Sequence, residues 1–152
     1  MLHVVLFQPS IPPNTGNIAR QCVGMKAGLH LIGPLSFDMS EKALRRAGLD
    51  YWEHLDLTIH ERPEDFLDWV ADRRCWLVTK MGPKRYDQCD YRNEDVLIFG
   101  NEIGGVPGSW HDRFKQNRCH IPILGEVRSY NLSNAVALVL AHAMHTVGLY
   151  EN

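Results

Sequence analysis

The chain has 152 residues, of which 45% are hydrophobic and 22% charged, and its formal net charge is −2. This length and composition predict one globular domain with a substantial core, and the charge argues against a sequence-blind nucleic-acid coat, which is normally basic. No apolar run reaches membrane-spanning length, and the N-terminal MLHVVLFQP lacks the basic region and cleavage site of a signal peptide. We therefore expect a cytoplasmic protein without a membrane segment.

Strand-like and helical segments alternate from one end of the sequence to the other. Six short apolar runs are typical of strands, and several are continuously apolar, as expected for parallel strands covered on both faces. The predicted strands are residues 2–7, 29–33, 55–59, 75–79, 95–100 and 120–124. The alternation predicts an α/β fold with a mainly parallel sheet flanked by helices.

Four helical patterns lie between or after these strands. Asn14 is placed to cap the first helix, with Gly28 ending it, and Ser40 is placed to cap the second. The third has a proline and two acids in its first turn and arginines at its end, which matches the helix dipole. The predicted helices are residues 14–27, 41–47, 63–73 and 132–147.

The last predicted helix is apolar almost all round. Consecutive apolar residues from Ala135 to Ala141 leave no polar face before His142 and His145. A surface helix of a small domain normally shows one polar face. Either this helix is wholly buried within the domain, or one face packs against another subunit, and we favour the homodimer.

The cysteines and histidines do not form a recognisable metal site. The cysteines are Cys22, Cys75, Cys89 and Cys119. No pair has CxxC spacing, so we expect small buried hydrophobic side chains in a reducing compartment. His142 and His145 are three apart on a helix, but the chain has no HExxH and no further ligand in obvious register. We expect no bound metal.

The first of three polar loops contains NTGNIAR, residues 14–20, and follows a predicted strand, where α/β sheets bind ligands. Asn17 and Arg20 are three apart and share a helix face. Arg20 beside a helix N-terminus suggests anion recognition, because backbone amides and a guanidinium both favour phosphate. The alternative is an ordinary capped helix with a surface arginine.

The second loop, Gly100 to Pro107, directly follows an apolar strand, and its glycines allow a ligand close to the backbone. Its spacing fits neither a GxGxxG fingerprint nor a Walker A loop. The single glutamate among glycines suits a neutral or cationic ligand better than a triphosphate. The alternative is a plain turn after a strand.

The third loop, Gly125 to Asn131, joins a short apolar strand to the last helix. Its polar groups must find partners away from water, and such loops usually hold a ligand. The alternative is that Asn131 or Ser133 simply caps the helix, and Ser129 lacks the GxSxG setting of an esterase nucleophile. We expect the three loops to form one site.

Taken together and in this order, the three loops resemble the three sequence motifs of the SPOUT superfamily of RNA methyltransferases. The matching segments are NTGNIAR (14–20), FGNEIGGVP (99–107) and IPILGEVRSYNLSNAVAL (121–138), and the resemblance extends over essentially the whole chain. IPPNTGNIAR, LRRAGLDYWEH and RSYNLSNAVAL further resemble the small branch that 2'-O-methylates the wobble nucleotide of tRNA, the tRNA (cytidine/uridine-34) 2'-O-methyltransferases.

This resemblance implies one SPOUT methyltransferase domain over residues 1–152 with a C-terminal deep trefoil knot, a rare exception to unknotted topology. It also implies a tRNA substrate, and a homodimer with the first and last helices in the interface. The knotted loops would hold S-adenosyl-L-methionine in a bent shape. The residues that the resemblance assigns to this cofactor are Val78, Thr79, Gly100, Glu102, Gly104, Ile121, Ser129, Tyr130 and Ser133.

The implied reaction is in-line transfer of a methyl group from a sulfonium to a ribose 2'-oxygen, which needs no metal. The catalytic residues that the resemblance implies are Arg20, assisted by Asn14, Glu102, Ser129 and Asn131. Arginine is a difficult base because its pKa lies above about 12. Our hypothesis is that Arg20 orients the target phosphate and stabilises the alkoxide as it forms, and that it reaches the partner subunit's cofactor.

Two positions depart from the pattern of the branch. Ile103-Gly104 stands where many members carry Thr-Arg, and Tyr130 stands where Leu or Met is commoner. One alternative is therefore methylation of another tRNA or rRNA ribose. From a different class, the alternatives are a non-catalytic RNA-binding module with the same fold, or another nucleotide-dependent α/β enzyme, which the missing phosphate-loop patterns disfavour.

Overall fold

The computed structural model of the chain describes residues 1–40, 42–43 and 50–151. Within these residues lies a seven-stranded sheet in which every pair of neighbouring strands is parallel. The strands are β1 His3–Phe7, β2 Gly28–Ile32, β3 Leu57–His60, β4 Cys75–Val78, β5 Lys84–Arg85, β6 Val96–Phe99 and β7 Arg118–His120. Their order in the sheet is β3-β2-β1-β6-β4-β7-β5. The predicted parallel α/β fold is confirmed.

Helices cover both faces of this sheet. The helices complete within the described residues are α1 Pro12–Gly24, α2 Pro63–Trp69, α3 Gly108–Arg113 and α4 Leu132–Val147. On one face, Ile18 of α1 and Val139 of α4 join one apolar cluster, and on the other face Phe66 of α2 and Trp110 of α3 join a second. None of the helices in the described residues is long and apolar enough to cross a membrane.

The sixth predicted strand is wrong in its extent. The strand expected at 120–124 is β7, Arg118–His120, and the residues after it leave the sheet. Pro122 has no amide hydrogen to donate to a ladder, which explains why the apolar run IPIL does not continue the strand. The two-residue strand β5 was missed because Lys84 and Arg85 are charged and exposed and carry no apolar pattern.

Helix α4 matches its predicted bounds because both of its ends carry strong local signals. The side chain of Asn131 accepts a hydrogen bond from the Ser133 amide at 2.9 Å, which caps the N-terminus. Gly148 adopts the left-handed conformation, with φ 75°, and ends the helix.

Helix α1 differs from its prediction at both ends. It begins at Pro12, so Asn14 lies inside the helix, is buried, and is not the cap that we predicted. It ends at Gly24 and not at Ala27, and Met25 is its C-terminal cap residue. A proline in the first turn suits a helix start, because the missing amide hydrogen has no partner there anyway.

The remaining helices show two differences from the sequence analysis. Helix α2 ends at Trp69, and the four residues that the prediction added form turns. Helix α3 was not predicted. Of the predicted helix at 41–47, only residues 42–43 are described, and they are helical. The Ser40 hydroxyl accepts a hydrogen bond from the Ala43 amide at 3.2 Å, as predicted for its cap.

Helix α4 is only partly buried in the single chain. Its inner side chains, including Val136 and Leu140, are fully buried, whereas Leu138 is 41% exposed and His145 is also exposed. This excludes a helix wholly buried within one chain. Packing of its outer face on a second subunit stays a prediction.

The four cysteines are free and buried, as predicted. Burial raises the pKa of the Cys22 thiol to about 12 and also raises that of Cys75 to about 12. Thiols with such pKa values stay protonated at neutral pH and act as small apolar side chains.

A chain of three histidines crosses the sheet beneath Trp69. Nδ1 of His3 lies 3.2 Å from Nε2 of His30, and Nδ1 of His30 lies 3.1 Å from Nε2 of His60. The ring centroids of Trp69 and His30 are 4.3 Å apart, and Glu94 Oε2 lies 3.4 Å from Nε2 of His3. Burial lowers the pKa of each histidine, against the opposing charge of Glu94 at His3, and lowers that of His30 to about 3.

These histidines predict a loss of stability on mild acidification. A lowered pKa means that the folded state keeps the ring neutral while the unfolded state takes up a proton near pH 6.5. The stabilisation is therefore complete above about pH 6.5 and is lost as the pH falls toward the folded pKa. We expect the free energy of unfolding in urea to fall between pH 7 and pH 5, by up to about 1.4 kcal/mol per pH unit for each such histidine.

The window above pH 5 separates this effect from that of carboxylates, which titrate lower. His30→Gln removes the central ring and should make the free energy of unfolding depend less on pH. His54→Gln is the matched control, because His54 is exposed. A free energy of unfolding that stays constant from pH 7 to pH 5 in the unmodified protein contradicts the prediction.

Candidate active site

The loops that follow β4, β6 and β7, which we call the three edge loops, lie along one edge of the sheet. Strands β6, β4 and β7 are neighbours and run parallel, so the loops that follow them emerge at the same edge. These loops begin at Thr79, Gly100 and Ile121. Strand β6 pairs with β4 on one side and with β1 on the other, and the loop after β1 leads into α1. The structure therefore brings all the loops of the sequence motifs to one place.

The loop after β4 folds tightly over the end of β7. The Thr79 amide donates to the Cys119 carbonyl at 2.9 Å, and Nδ1 of His120 donates to the Gly82 carbonyl at 2.7 Å. A Cβ atom on Gly82 would lie 2.6 Å from the Cys119 Cα and closer still to its carbonyl group. Two backbone segments thus pass each other with no room for a side chain.

The loop after β6 is a tight turn held by Asn101. Its side-chain oxygen accepts hydrogen bonds from the amides of Ile103 at 2.9 Å and Gly104 at 3.0 Å. Asn101 and Gly105 also exchange two backbone hydrogen bonds, and Gly105 adopts a positive φ of 67°. A Cβ atom on Gly100 would lie 2.6 Å from the Gly105 Cα. The loop is a turn, but one whose shape aims its glutamate at α1.

The carboxylate of Glu102 caps the N-terminus of α1. It accepts hydrogen bonds from the Ser10 amide at 3.0 Å, the Ile11 amide at 3.2 Å and the Asn14 side chain at 3.5 Å. Burial by itself raises the pKa of Glu102, but the hydrogen bonds from these groups outweigh it and hold the pKa below its ordinary value. An anion at this helix end is also favoured by the helix dipole. Glu102 therefore does the capping that we had predicted for Asn14.

Asn14 extends this network to helix α4. Its side-chain oxygen accepts a hydrogen bond from the Asn131 side chain at 3.0 Å. Asn131 in turn accepts from the Ser133 amide at 2.9 Å and from its hydroxyl at 2.6 Å, and Gln21 of α1 donates to the Ser133 carbonyl at 2.9 Å. We call Asn14, Glu102, Asn131 and Ser133 the amide cluster, which joins α1, the loop after β6 and α4.

Replacing Asn131 with alanine should destabilise the protein. The change removes the cap of α4 and the donor to the buried Asn14 oxygen, so we expect a loss of about 1 to 2 kcal/mol. Urea unfolding followed by circular dichroism measures it. Asn134→Ala is the control, because Asn134 is exposed on α4 and alanine favours helix. Equal stability of the two variants would show that the cap contributes nothing.

The loop after β7 is the most exposed part of this edge. Residues 124–131 are all exposed, and Ser129 lies among them. The Tyr130 hydroxyl donates to the Pro122 carbonyl at 2.9 Å, which closes the loop on itself. Tyr130, which departs from the sequence pattern of the branch, thus has a structural partner.

Exposed apolar side chains and open backbone lie together at this edge. Apolar side chains from all three loops lie 58% to 98% exposed, and they are Met81, Ile103, Leu124 and Val127. Such grouped apolar exposure marks binding surfaces. A Cβ atom on Gly125 would meet nothing within 4 Å, so the backbone there is open to a ligand. These features fit S-adenosyl-L-methionine, and no cluster of three or more potential metal ligands occurs in the described part of the chain.

Arg20 lies apart from the amide cluster, on an exposed part of α1. Its guanidinium carbon is 5.3 Å from the centroid of the Tyr51 ring, and the Tyr51 hydroxyl donates to the Gly16 carbonyl at 3.1 Å. Among the described residues, no hydrogen bond joins Arg20 to the other catalytic candidates. One chain therefore brings together Asn14, Glu102 and Asn131, but leaves Arg20 and the exposed Ser129 outside their hydrogen bonds.

Several residues of this region were missed in the sequence. Ser10 supplies two donors to Glu102, Gly82 permits the close backbone crossing, and Tyr51 fixes Arg20. A glycine soon after a strand was the one available signal for Gly82. The contacts of Ser10 and Tyr51 join segments far apart in the chain, so no local pattern marks them.

Known proteins resemble this chain over nearly its whole length. Residues 1–141 match the SpoU rRNA Methylase family. A tRNA (cytidine(34)-2'-O)-methyltransferase from Methylovorus glucosotrophus (strain SIP3-4) is 41% identical over 144 residues, which cover 94% of this chain and 94% of that protein.

Solved structures agree with this similarity. One, from work on the 2-OH methylation of C/U34 on tRNA, has a TM-score of 0.89 at 39% identity and covers 100% of this chain and 98% of that one. The SpoU methyltransferase AviRb from Streptomyces viridochromogenes, in complex with the cofactor AdoMet, has a TM-score of 0.80 at 25% identity. It covers 95% of this chain and 57% of that one.

Proposed function

Because the chain belongs to the SpoU rRNA Methylase family, we propose that it is an enzyme that methylates the ribose 2'-hydroxyl of the wobble nucleotide, C34 or U34, of a tRNA. The observation that carries the proposal is the 41% identity to a C34 methyltransferase over 94% of both chains. The open edge beside the amide cluster supports it, since exposed apolar side chains grouped around open backbone suit a bound methyl donor.

The methyl donor is S-adenosyl-L-methionine, which supplies an electrophilic methyl group on a sulfonium and needs no metal to activate it. We assign its binding to the three loops at the edge of the sheet. The residues assigned are Val78, Thr79, Gly100, Glu102, Gly104, Ile121, Ser129, Tyr130 and Ser133. Open backbone beside Gly125 and the exposed Leu124 support this assignment.

Arg20 acts on the acceptor. The bound donor would supply the methyl group and leave as S-adenosylhomocysteine, and the 2'-hydroxyl would release its proton to water. Negative charge would therefore develop on the 2'-oxygen in the transition state. A guanidinium stays protonated at neutral pH, and its fixed fork holds a phosphate or an oxyanion in two hydrogen bonds. We therefore give Arg20 the orientation of the target phosphate and the stabilisation of the forming alkoxide.

Glu102 positions the helix that carries Arg20. Its carboxylate already accepts hydrogen bonds from Ser10, Ile11 and Asn14, and its pKa lies below the ordinary value. A carboxylate with these properties is a weak base at neutral pH. Its stabilising effect on α1 is present above the unfolded pKa and is lost as the pH falls through the lowered folded pKa.

The complete site belongs to a homodimer. The exposed Leu138 on α4 supports an interface along the outer faces of α1 and α4, which pack on each other within one chain. Such an interface brings Arg20 to the partner subunit's cofactor loops, and it explains why one chain leaves Arg20 outside the amide cluster. A sedimentation experiment that finds only monomers at micromolar concentration contradicts it.

We also propose that residues 1–152 form one SPOUT domain that ends in a deep trefoil knot, in a protein of the cytoplasm. The close crossing of Gly82 and Cys119 backbones supports the knot, since a threaded chain must pass within contact of the loop around it.

The test is to incubate the protein with total tRNA and a labelled methyl donor and to map the 2'-O-methyl sites. We expect label on the ribose of nucleotide 34. Label on another ribose contradicts the position while keeping the enzyme class. Absence of both label and S-adenosylhomocysteine binding indicates a non-catalytic RNA-binding module.

A further inference from the structure

A cavity of about 560 Å³ lies between α1 and the segments around Phe37 and Tyr51, outside the amide cluster. Its wall on the α1 side includes Gly16, Asn17 and Arg20. The opposite wall carries the side chains of Phe37, Met39, Tyr51 and Trp52, all only partly buried. Its volume falls within the range of small-molecule sites. Aromatic faces on one side and a guanidinium at the rim are the features with which proteins bind single-stranded nucleotides.

A polar group without a partner among the described residues is buried in the wall of this cavity. Thr15 lines it and is 1% exposed, yet its hydroxyl has no hydrogen bond within the described part of the chain. A buried hydroxyl left unpaired costs free energy, so an unpaired one on a cavity wall points to a missing ligand. Asp38 at the rim is fixed by the Ser40 amide at 2.8 Å and by the Ser40 hydroxyl at 3.0 Å.

We propose that this cavity receives the base of the nucleotide whose ribose is methylated, a pyrimidine. The inference rests on the proposed function, in which Arg20 holds the target ribose and its phosphate. Because Arg20 forms part of the cavity wall, a base lying inside keeps its own ribose at the guanidinium. An anticodon-loop nucleotide is unpaired, and enzymes that modify such nucleotides take the base out of its stack into a pocket.

The polar groups of the cavity suit cytosine and uracil alike. A threonine hydroxyl both donates and accepts, so it pairs with either the amino group of cytosine or the carbonyl of uracil. A carboxylate accepts from cytosine N4 or from uracil N3, and Asp38 keeps lone pairs free beside those that Ser40 uses. Trp52 and Phe37 supply ring faces for stacking, which does not distinguish the two bases.

A binding cycle between the RNA base and the protein tests this proposal. The two RNAs are the substrate tRNA with its base at the target nucleotide and the same tRNA with an abasic ribose there. Kd is measured for both with S-adenosylhomocysteine present, using the unmodified protein, Trp52→Leu and Thr15→Val. We expect loss of the base to weaken binding about tenfold or more in the unmodified protein and less than threefold in Trp52→Leu. Thr15→Val, which keeps size and burial, should give an intermediate factor.

Glu53→Gln is the matched control, because Glu53 is exposed in the same turn as Trp52. Its loss of charge should change the Kd for both RNAs by the same factor. The tenfold ratio between the abasic and the complete tRNA should therefore stay unchanged. The proposal is overturned if removal of the base weakens binding equally in the unmodified protein, Trp52→Leu and Thr15→Val. It is also overturned if these variants instead reduce the effect of removing the base of a neighbouring nucleotide. This binding cycle measures only Kd. The mapping experiment measures methylation, so a failure of the proposed function at nucleotide 34 is detected there and is separate from a failure of this proposal.

Discussion

Gly82→Ala is expected to destabilise the protein by about 3 kcal/mol or more and to abolish binding of the methyl donor. The added Cβ would lie 2.6 Å from the Cys119 Cα, and its closest neighbours are all backbone atoms of that residue. These backbone atoms cannot move away by a change of rotamer, as a flexible side chain can. The loop after β4 must therefore lift from β7, which breaks the hydrogen bonds that Thr79 and His120 make across this crossing.

Two measurements check this expectation. Urea unfolding gives the free energy, and titration with S-adenosylhomocysteine gives the affinity at a protein concentration where the variant is still folded. Gly24→Ala is the control, because an added Cβ at Gly24 meets nothing within 4 Å and alanine favours the helix. If Gly82→Ala unfolds like the unmodified protein and keeps its affinity, the close crossing of these segments is wrong.

Arg20→Lys is expected to lower kcat for tRNA methylation by about 100-fold or more while the affinity for S-adenosylhomocysteine stays unchanged. Lysine keeps the charge but loses the planar fork, so it cannot hold a phosphate and a forming alkoxide in one fixed geometry. It also loses the cation–π contact with the Tyr51 ring, whose centroid lies 5.3 Å from the guanidinium carbon. Arg20→Ala should be slower still.

The matched control is Arg113→Lys, an identical substitution at an exposed arginine of α3 on the other face of the sheet. Its turnover should stay within about twofold of the unmodified protein. Near-normal turnover of Arg20→Lys shows that only charge is needed at this position and removes the bidentate role. A parallel loss of donor affinity instead places Arg20 in the cofactor site.

Local sequence signals predicted the parts of the fold that local chemistry decides. Helix α4 was bounded correctly because Asn131 and Gly148 terminate it through their own side chain and backbone. The strands of the buried sheet were found because they are short and apolar. Strand β5 escaped because its pairing with β7 depends on the course of the chain and not on its two charged residues.

The sequence analysis named Asn14, Glu102 and Asn131, which the structure brings together, but it did not predict how they are connected. Asparagine is a common helix cap, yet the carboxylate of Glu102, 88 residues after Asn14, lies at the start of that helix. The side-chain oxygen of Asn14 instead accepts a hydrogen bond from Asn131. Likewise Arg20 was identified by its motif, but its contact with Tyr51 joins segments that no periodicity relates. Long-range polar contacts of this kind follow from the topology of the sheet, so they appear only once the strands are in order.

The carboxylate of Glu102 ties the turn after β6 to the two residues just before α1 through the amides of Ser10 and Ile11. A donor molecule that displaces this turn therefore also displaces the helix that carries Arg20. Binding of the methyl donor then changes the affinity for RNA, and thermodynamic reciprocity requires RNA to change the affinity for the donor by the same factor. Methyl donor and RNA are thus linked through a single acidic side chain, in addition to their direct contact at the transferred methyl group.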